Sequence, residues 1–362
     1  MTYKCPLAKS VITILLAHLL YACNSTTNDQ TVVPVDIKSF TQLSILDLAK
    51  DIEQIPLELT ENSMVGNIGK IEFTANAIFI HDFNSSRILA FDNNGKFLRQ
   101  IGKKGEGPGE FNYFNSFAVD EDQDLIYVAA KGKLILYRLN GAFVKEVNTF
   151  NFINYLAFVK DELKIFSSYF GYQAQGSAQL YNLEILFTVN SANEKKDSVV
   201  VKKIPVKSPS GTVFPQAKYF SRSNDQYYFY LPVLIPENLI RDTLYSYSNN
   251  ELSFYKKIDF ESQVNPEAKR KSINIKSIIK TDRYYISEFL KKGDFVFVYD
   301  IKEKEGFHMK KGIDVSDFIL EKTASLFPIL NESNALYFVG KPLESANDSD
   351  EPNASIFKVK LK

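Results

Sequence analysis

The chain has 362 residues, of which 45% are hydrophobic and 24% charged, with 43 Lys and Arg balanced by 43 Asp and Glu. This composition argues against a disordered chain. The balanced charge argues against electrostatic capture of nucleic acid, and we expect no nucleic-acid partner. Its 29 Phe and 20 Tyr, together with frequent β-branched residues, favour strands.

The first residues have the pattern of a bacterial export signal. Lys4 and Lys9 supply positive charge, and Val11–Leu20 is apolar but too short to span a bilayer core of roughly 30 Å. The following letters LYAC resemble a lipobox, in which the cysteine is acylated and becomes the mature N-terminus. We predict a signal peptide at residues 1–22 and lipid attachment at Cys23. The alternative is an ordinary secretory signal that ends near Ala22.

Removal of this signal also removes Cys5, which leaves Cys23 as the remaining cysteine, so no disulfide forms within one chain. The formal charge changes from +0 to −2, because two lysines and no acid are lost. Residues 23–50 begin with the polar run CNSTTNDQ and are predicted to be a tether. We expect a lipid-anchored protein of the bacterial envelope, at the outer membrane, with the periplasmic or surface side left open.

Short apolar runs separated by turn residues recur in groups of four. The first group reads IGKIEFTA, AIFIHDF, RILAFDN and KFLRQIG, from residue 68 to residue 102. The same order recurs from Ser116, Tyr155, Lys218 and Ser277. Three further runs follow Leu326, and a fourth is available at Ile52–Leu59. Five full groups and one divided between the chain ends predict a closed ring of six four-stranded blades, since closure removes exposed sheet edges.

The run FDNNGKFLRQIGKKGEGPGEFNYFNSFAVDEDQDLIYVAA, residues 91–130, resembles the NHL-type propeller repeat. It resembles more closely the six-bladed β-propeller lipoproteins of Bacteroidetes, which the later blades match in pattern only. The resemblance implies an all-β, six-bladed β-propeller of antiparallel blades. We place this propeller, as a single domain, in residues 51–362, with an N-terminal strand paired to the C-terminal blade. The resemblance implies little about function, because this fold hosts unrelated activities.

The stretch GKKGEGPGEF, Gly102–Phe111, looks like a phosphate-binding loop, but its spacing does not fit one. Its later glycines are two residues apart, unlike the Rossmann pattern, and Pro108 and Gly109 stand where a P-loop needs Lys and a hydroxyl. We interpret the stretch as the connection between the first two blades. Phosphate contact, if present, would use Lys103 and Lys104.

Histidine and carboxylate patterns do not predict a catalytic or metal site. Outside the signal, His81 and His308 each lie on a predicted strand without a second His nearby, which gives little support to a zinc site or a catalytic triad. The run DEDQD, residues 120–124, imitates the start of a calcium loop, but Leu125 replaces the required Gly. We interpret this run as a turn and expect no catalytic residue, metal or cofactor.

Loop lengths differ between the two faces of the predicted disc. In an antiparallel blade, the loop after the second strand and the connection after the fourth emerge on one face, which we name the crossover face. The other loops, such as NNG and SNN, emerge on the opposite, short-loop face. The long segments fall on the crossover face: Ser168–Gln179, Val206–Lys218, Leu231–Asp242, Glu261–Lys276 and Pro342–Ser355. Long loops on a rigid scaffold commonly bind ligands.

We therefore predict a non-catalytic binding module, monomeric and anchored by its lipid, whose crossover face binds a protein or a glycan. The candidate binding residues are Tyr169, Tyr172, Gln173, Glu237, Arg241 and Lys103. The alternative is a propeller hydrolase or lyase acting on a glycan or lactone, with Asp, Glu or His converging at the central channel. A purely structural envelope subunit would instead show an exposed apolar patch.

Overall fold

The computed structural model describes residues 31–37, 40–130, 132–148, 152–190, 192–209, 217–232, 241–260, 273–343 and 352–362. The strands of these segments form five four-stranded sheets and one five-stranded sheet, and the strands within each blade pair antiparallel. The sheets form the six blades of a β-propeller, which confirms the predicted fold class. The described segments contain no helix with the length and apolar character needed to cross a membrane.

The first part of the chain contains β1 (Val32–Pro34), a short helix α1 (Ile45–Leu48) and β2 (Ala49–Pro56). Blade 1 contains β3 (Ile68–Phe73), β4 (Ile78–Asp82), β5 (Arg87–Phe91) and β6 (Phe97–Ile101). Blade 2 contains β7 (Ser116–Asp120), β8 (Leu125–Ala130), β9 (Lys133–Tyr137) and β10 (Phe143–Val147). Blade 3 contains β11 (Phe152–Val159), β12 (Glu162–Gln173), β13 (Leu180–Val189) and β14 (Lys195–Val206).

Blade 4 contains β15 (Phe220–Ser223), β16 (Gln226–Phe229), β17 (Thr243–Ser248) and β18 (Glu251–Asp259). Blade 5 contains β19 (Asn274–Lys280), β20 (Tyr284–Leu290), β21 (Asp294–Asp300) and β22 (Glu305–Lys310). The connection to the last blade contains a small two-stranded sheet of β23 (Ile313–Asp314) and β24 (Thr323–Ala324). Blade 6 contains β25 (Phe327–Pro328), β26 (Ala335–Gly340), β27 (Ser355–Leu361) and the earlier strand β2.

Alternation along each strand gives every blade two apolar faces. In β5, Ile88 and Ala90 are fully buried in the cluster shared with blade 2, whereas Leu89 and Phe91 are buried in the cluster shared with blade 6. Successive side chains of a strand point to opposite sides of its sheet, so one short strand contributes to two neighbouring cores. The core of the protein is thus a series of layers between blades.

The ring is closed by β2, the outer strand of blade 6. It pairs antiparallel with β27, with Ile52 opposite Val359 and Ile55 opposite Ile356. The predicted pairing with the C-terminal blade is therefore present, although the strand begins at Ala49 and ends at Pro56. The first paired residue is Ala49, which lies opposite Leu361.

Residues that precede the closing strand lie along the outer edges of blades 4 and 5. Strand β1 is the neighbour of β18, the outer strand of blade 4, and Val33 is buried there. The Thr41 amide donates to the His308 carbonyl on the outer strand of blade 5, at 2.9 Å. The Phe40 ring stacks on the His308 ring at 4.6 Å. Part of the predicted tether, at residues 33–37 and 40–50, is therefore packed against the propeller.

A turn of blade 1 touches the chain that leaves the closing strand. Gly95 has a φ of +84° in the turn between β5 and β6, and its carbonyl accepts a hydrogen bond from the Glu58 amide at 2.8 Å. A Cβ at Gly95 would lie 2.0 Å from the Pro56 carbonyl oxygen. The contact thus requires glycine both for the positive φ and for the close approach.

Gly95→Ala is expected to destabilise the propeller by about 3 kcal/mol, since the backbone at the ring closure must move. The matched control is Gly176→Ala, at a φ of +77° with no atom within 4 Å of the added Cβ, which costs about 1 kcal/mol from the positive φ alone. Urea unfolding of both variants measures the difference. Equal losses would show that the contact with Pro56 contributes nothing.

Candidate functional site

The inner strands of the blades surround a central channel that is narrow in its middle. The cavity there has a volume of about 30 Å³, which is space for about two water molecules. It is lined by residues of blades 1, 3, 4 and 6, among them Lys70, Glu72, Tyr155, Lys218, Phe327 and Tyr337. A ligand larger than a few atoms therefore has to bind at a mouth of the channel or on the surface.

Lys70 joins the inner strands of three blades. Its ammonium donates to the carbonyl oxygens of Phe117 in blade 2, at 2.9 Å, and of Leu156 in blade 3, at 2.7 Å. It also lies 2.6 Å from a carboxylate oxygen of Glu72 in its own strand. Burial lowers the pKa of Lys70, while Glu72 acts in the opposite direction. The ammonium is thus satisfied by two backbone acceptors and one carboxylate.

Lys218 has the same role on the other side of the axis. It lies just before the inner strand of blade 4, and its ammonium is 2.6 Å from a carboxylate oxygen of Glu288 in blade 5. The same ammonium is 4.2 Å from the centre of the Phe327 ring in blade 6. Burial lowers the pKa of Lys218, and Glu288 raises it. Sequence reasoning missed both lysines, although a Lys inside the apolar run IGKIEF was a visible signal.

Lys70→Met is expected to lower the free energy of unfolding by about 3 to 5 kcal/mol, because it leaves Glu72 and two carbonyls without their buried cation. The control Lys103→Met removes a lysine whose side chain is 74% exposed, and it should change stability by less than about 0.5 kcal/mol. The double variant Lys70→Met, Glu72→Gln should recover part of the loss. Urea denaturation measures all three, and a neutral Lys70→Met would contradict this role.

Two cavities open near the crossover end of the channel. One, of about 340 Å³, lies between blades 1 and 6, and the other, of about 270 Å³, lies between blade 5 and the connection that contains β24. Both are lined by Thr323, Ala324 and Ser325, at and after β24. The small sheet in the connection between blades 5 and 6 therefore forms the wall between these cavities.

The short-loop end of the channel opens into an acidic cavity of about 310 Å³. Its lining includes five acidic residues and two cations: Glu72, Asp120, Glu121, Asp122, Asp161, Lys160 and Arg222. Burial raises the pKa of Asp120, with further increases from Asp122 and Asp161. The run DEDQD is a turn between β7 and β8, as predicted. The described segments contain no group of three or more His, Cys, Asp or Glu placed to hold a metal ion.

The two histidines lie in different blades and do not form a common site. His81 in blade 1 is fully buried, with its ring 3.9 Å from that of Phe114. Burial lowers the pKa of His81 to about 3, so its ring is neutral at physiological pH. His308 lies in blade 5, where it stacks with Phe40. Both rings pack among aromatic residues.

In the glycine-rich stretch Gly102–Phe111, backbone donors are occupied by one carboxylate of the stretch and by one from β10 of blade 2. The Gly107 amide donates to Glu110 at 2.9 Å, and the Gly109 amide donates to Glu146 at 3.0 Å. Lys103 forms an ion pair with Glu110 at 3.0 Å. The Gly107 hydrogen bond and Lys103 lower the pKa of Glu110. An incoming phosphate would have to displace both carboxylates, which supports interpretation of the stretch as a connection.

Three of the candidate binding residues come together in blade 3. The segment Ser168–Gln179, expected to be a long loop, is strand in its first half: β12 continues to Gln173, and β13 begins at Leu180. Strand β11 pairs with β12 no further than Ser168. Beyond that point β12, β13 and β14 continue as a three-stranded extension on the crossover face. We name this extension the wing, comprising residues 169–173, 180–183 and 203–206.

Tyr169, Tyr172 and Gln173 all belong to the wing, but they differ in exposure. Tyr169 is half-buried at its base, with its ring 6.4 Å from Phe187. Tyr172 is 43% exposed, and Gln173 is exposed and donates to the Ser177 carbonyl at 2.6 Å. Tyr172 and Gln173 are therefore the two accessible candidate binding residues in the wing.

The remaining candidate site residues lie apart from the wing or outside the described residues. Lys103 is in the connection between blades 1 and 2, and Arg241 lies two residues before β17 in blade 4, where its carbonyl accepts from the Tyr230 hydroxyl. Glu237 and Cys23 lie outside the described residues. Parts of the other long segments also lie outside them, at residues 210–216, 233–240, 261–272 and 344–351.

These features define the class of the protein as a six-bladed β-propeller with a narrow channel and an extended third blade. The chain belongs to the family described as Domain of unknown function (DUF4934), whose model matches residues 30–360. No curated protein matches the sequence.

Solved structures from Bacteroides are similar to the chain. A protein of Bacteroides fragilis described as a "Putative exported protein" is 16% identical with a TM-score of 0.64, over 92% of this chain and 100% of that one. A member of the duf4221 family from Bacteroides vulgatus is 14% identical with a TM-score of 0.48, over 87% and 97%. At such low identity, the first likeness supports the fold alone.

Proposed function

We propose that the protein is an exported, lipid-anchored and non-catalytic binding module of the bacterial envelope. It is attached through Cys23 and binds a protein or a glycan through its crossover face. The observation that carries this proposal is the wing, which extends the strands of blade 3 past the end of β11 on that face. Paired strands hold exposed side chains such as Tyr172 in fixed positions, which lowers the entropy lost on binding.

The narrow channel is a second support for binding at the surface. A middle cavity of about 30 Å³ does not admit a sugar ring or a peptide side chain. On the short-loop face the described turns are tight, as at residues 160–161, 224–225 and 249–250. The crossover face, by contrast, carries the wing and the two cavities beside β24.

The enzyme alternative is favoured by one observation, the acidic cavity at the short-loop end. A partly buried carboxyl group with a raised pKa, such as Asp120, is typical of a general acid. That cavity lies on the face opposite the wing. The two functions therefore differ in the face that must remain accessible.

A bulky group on one face should separate these functions. In a Cys5→Ser, Cys23→Ser background the chain has no other cysteine, so Gln173→Cys in the wing and Asn94→Cys on the short-loop face each offer one exposed thiol for maleimide polyethylene glycol. Each conjugate then serves as bait in an envelope extract. We expect conjugation at residue 173 to abolish capture of the protein or glycan partner and conjugation at residue 94 to leave it unchanged. Equal capture by both conjugates would contradict the proposal.

Lipid attachment is tested by Cys23→Ser in the producing bacterium. We expect the protein to move from the membrane fraction to the soluble fraction, because the thiol that would carry the lipid is lost. Metabolic labelling with a fatty-acid analogue should mark the wild-type chain and not the variant. Cys5→Ser is the control and should stay membrane-bound. Retention of Cys23→Ser in the membrane would refute the anchor.

A further inference from the structure

Tyr172 and Lys203 lie on the same side of the wing. Tyr172 is directly opposite Tyr181, and Tyr181 is directly opposite Pro205 in the next strand. Lys203 is opposite Leu183. Leu183 lies two residues from Tyr181, and Lys203 lies two residues from Pro205. Residues directly opposite each other, and residues two apart in one strand, share a face of the sheet. The wing therefore presents a ring, a second ring and a cation on one surface.

The two rings are not equally accessible. The Lys203 ammonium lies 4.4 Å from the centre of the Tyr181 ring and covers it. Tyr172 is 43% exposed. Among the described residues, the Lys203 ammonium has no carboxylate partner, in contrast to Lys202, which lies 3.6 Å from Glu184. A free aromatic face thus lies beside an ammonium group without a counter-ion.

Hydrogen bonds hold this part of the wing in place. The Gly171 amide donates to the Asn182 side chain at 3.1 Å. The Gln179 side-chain amide donates to the carbonyls of Leu180 at 2.7 Å and Val206 at 3.2 Å, which links the second and third strands at the tip. The backbone that carries the exposed groups is therefore held in place before any ligand binds.

The spacing of these groups fits a small ring that carries an acid. Neighbouring strands are about 4.8 Å apart, and Tyr172 is directly opposite Tyr181, so Tyr172 stands beside the ring that the Lys203 ammonium covers. A pyranose ring is of similar width, and its C–H groups can pack on the electron-rich face of a tyrosine. A carboxylate on that sugar would then reach Lys203 and form a charge-assisted hydrogen bond.

We propose that the wing binds an acidic saccharide, with one sugar ring stacked on Tyr172 and its carboxylate bound by Lys203. This inference rests on the proposed binding role of the crossover face and names the ligand class. Stacking alone would also suit a nucleic acid. A nucleic-acid strand, however, needs several cations along its phosphates, and the formal charge of the chain is +0. The saccharide is therefore favoured.

The test is calorimetric titration of the full chain in detergent with an oligomer of galacturonic acid and with a neutral glucose oligomer of equal length. We expect the acidic oligomer to bind the wild type and the neutral one to bind about tenfold more weakly. Tyr172→Ala and Lys203→Gln should each weaken binding of the acidic oligomer by about tenfold. Tyr172→Phe keeps the ring and should bind normally.

The matched control is Tyr113→Ala, which removes a tyrosine of similar exposure, 38%, from the connection between blades 1 and 2. It should bind like the wild type, and thermal melting checks that every variant folds. Equal binding of both oligomers, loss of affinity in Tyr113→Ala alone, or tighter binding of a deoxythymidine oligomer through Tyr172 would each overturn the inference. Failure of the wild type to bind the acidic oligomer would overturn it too, while capture blocked at residue 173 would still support the proposed function.

Discussion

Two buried ammonium groups at the axis hold the ring together, and each one joins three blades. Lys70 binds backbone carbonyls of blades 2 and 3 from blade 1, while Lys218 connects blade 4 to Glu288 in blade 5 and to Phe327 in blade 6. Moving an ammonium out of water is costly unless it gains close acceptors. Here the acceptors come from different blades, so the charge is satisfied when the blades are correctly arranged around the axis. The same two lysines line the narrow middle of the channel.

The sequence predicted much of the fold because its signals are local. Alternation within runs such as AIFIHDF and turn residues such as Asn94 and Gly95 identified the strands, and the unpaired run near Ile52 indicated how the ring closes. Helix α1 was not predicted, although Ser44 and Asp47 form a capping box. The strand and turn signals depend on residues a few positions apart, whereas ring closure was inferred from the number of runs.

The site depended on contacts that local patterns do not specify. Ser168–Gln179 contains two glycines and several polar residues, and we expected a loop there. Instead its first residues belong to β12, and Tyr172 pairs with Tyr181 in β13. The partners of Lys70 are carbonyl groups far along the chain, which no pattern of side chains reveals. The sequence also does not show that the Lys203 ammonium lies over the Tyr181 ring. The pairing register of β12 with β13 and the backbone acceptors of Lys70 could therefore not be predicted from the sequence.

The N-terminal segment has a mechanical consequence. A pull on the chain from its amino end would load the contact between β1 and β18 first, then Phe40 and Thr41 on blade 5, and then helix α1. The hydrogen bonds between β2 and β27 come after all of these in chain order. The helix has a further brace, since the Lys362 ammonium donates to the Leu46 and Asp47 carbonyls. Tension from the amino end would therefore reach these peripheral contacts before it reaches the pairing of β2 with β27 that closes the ring.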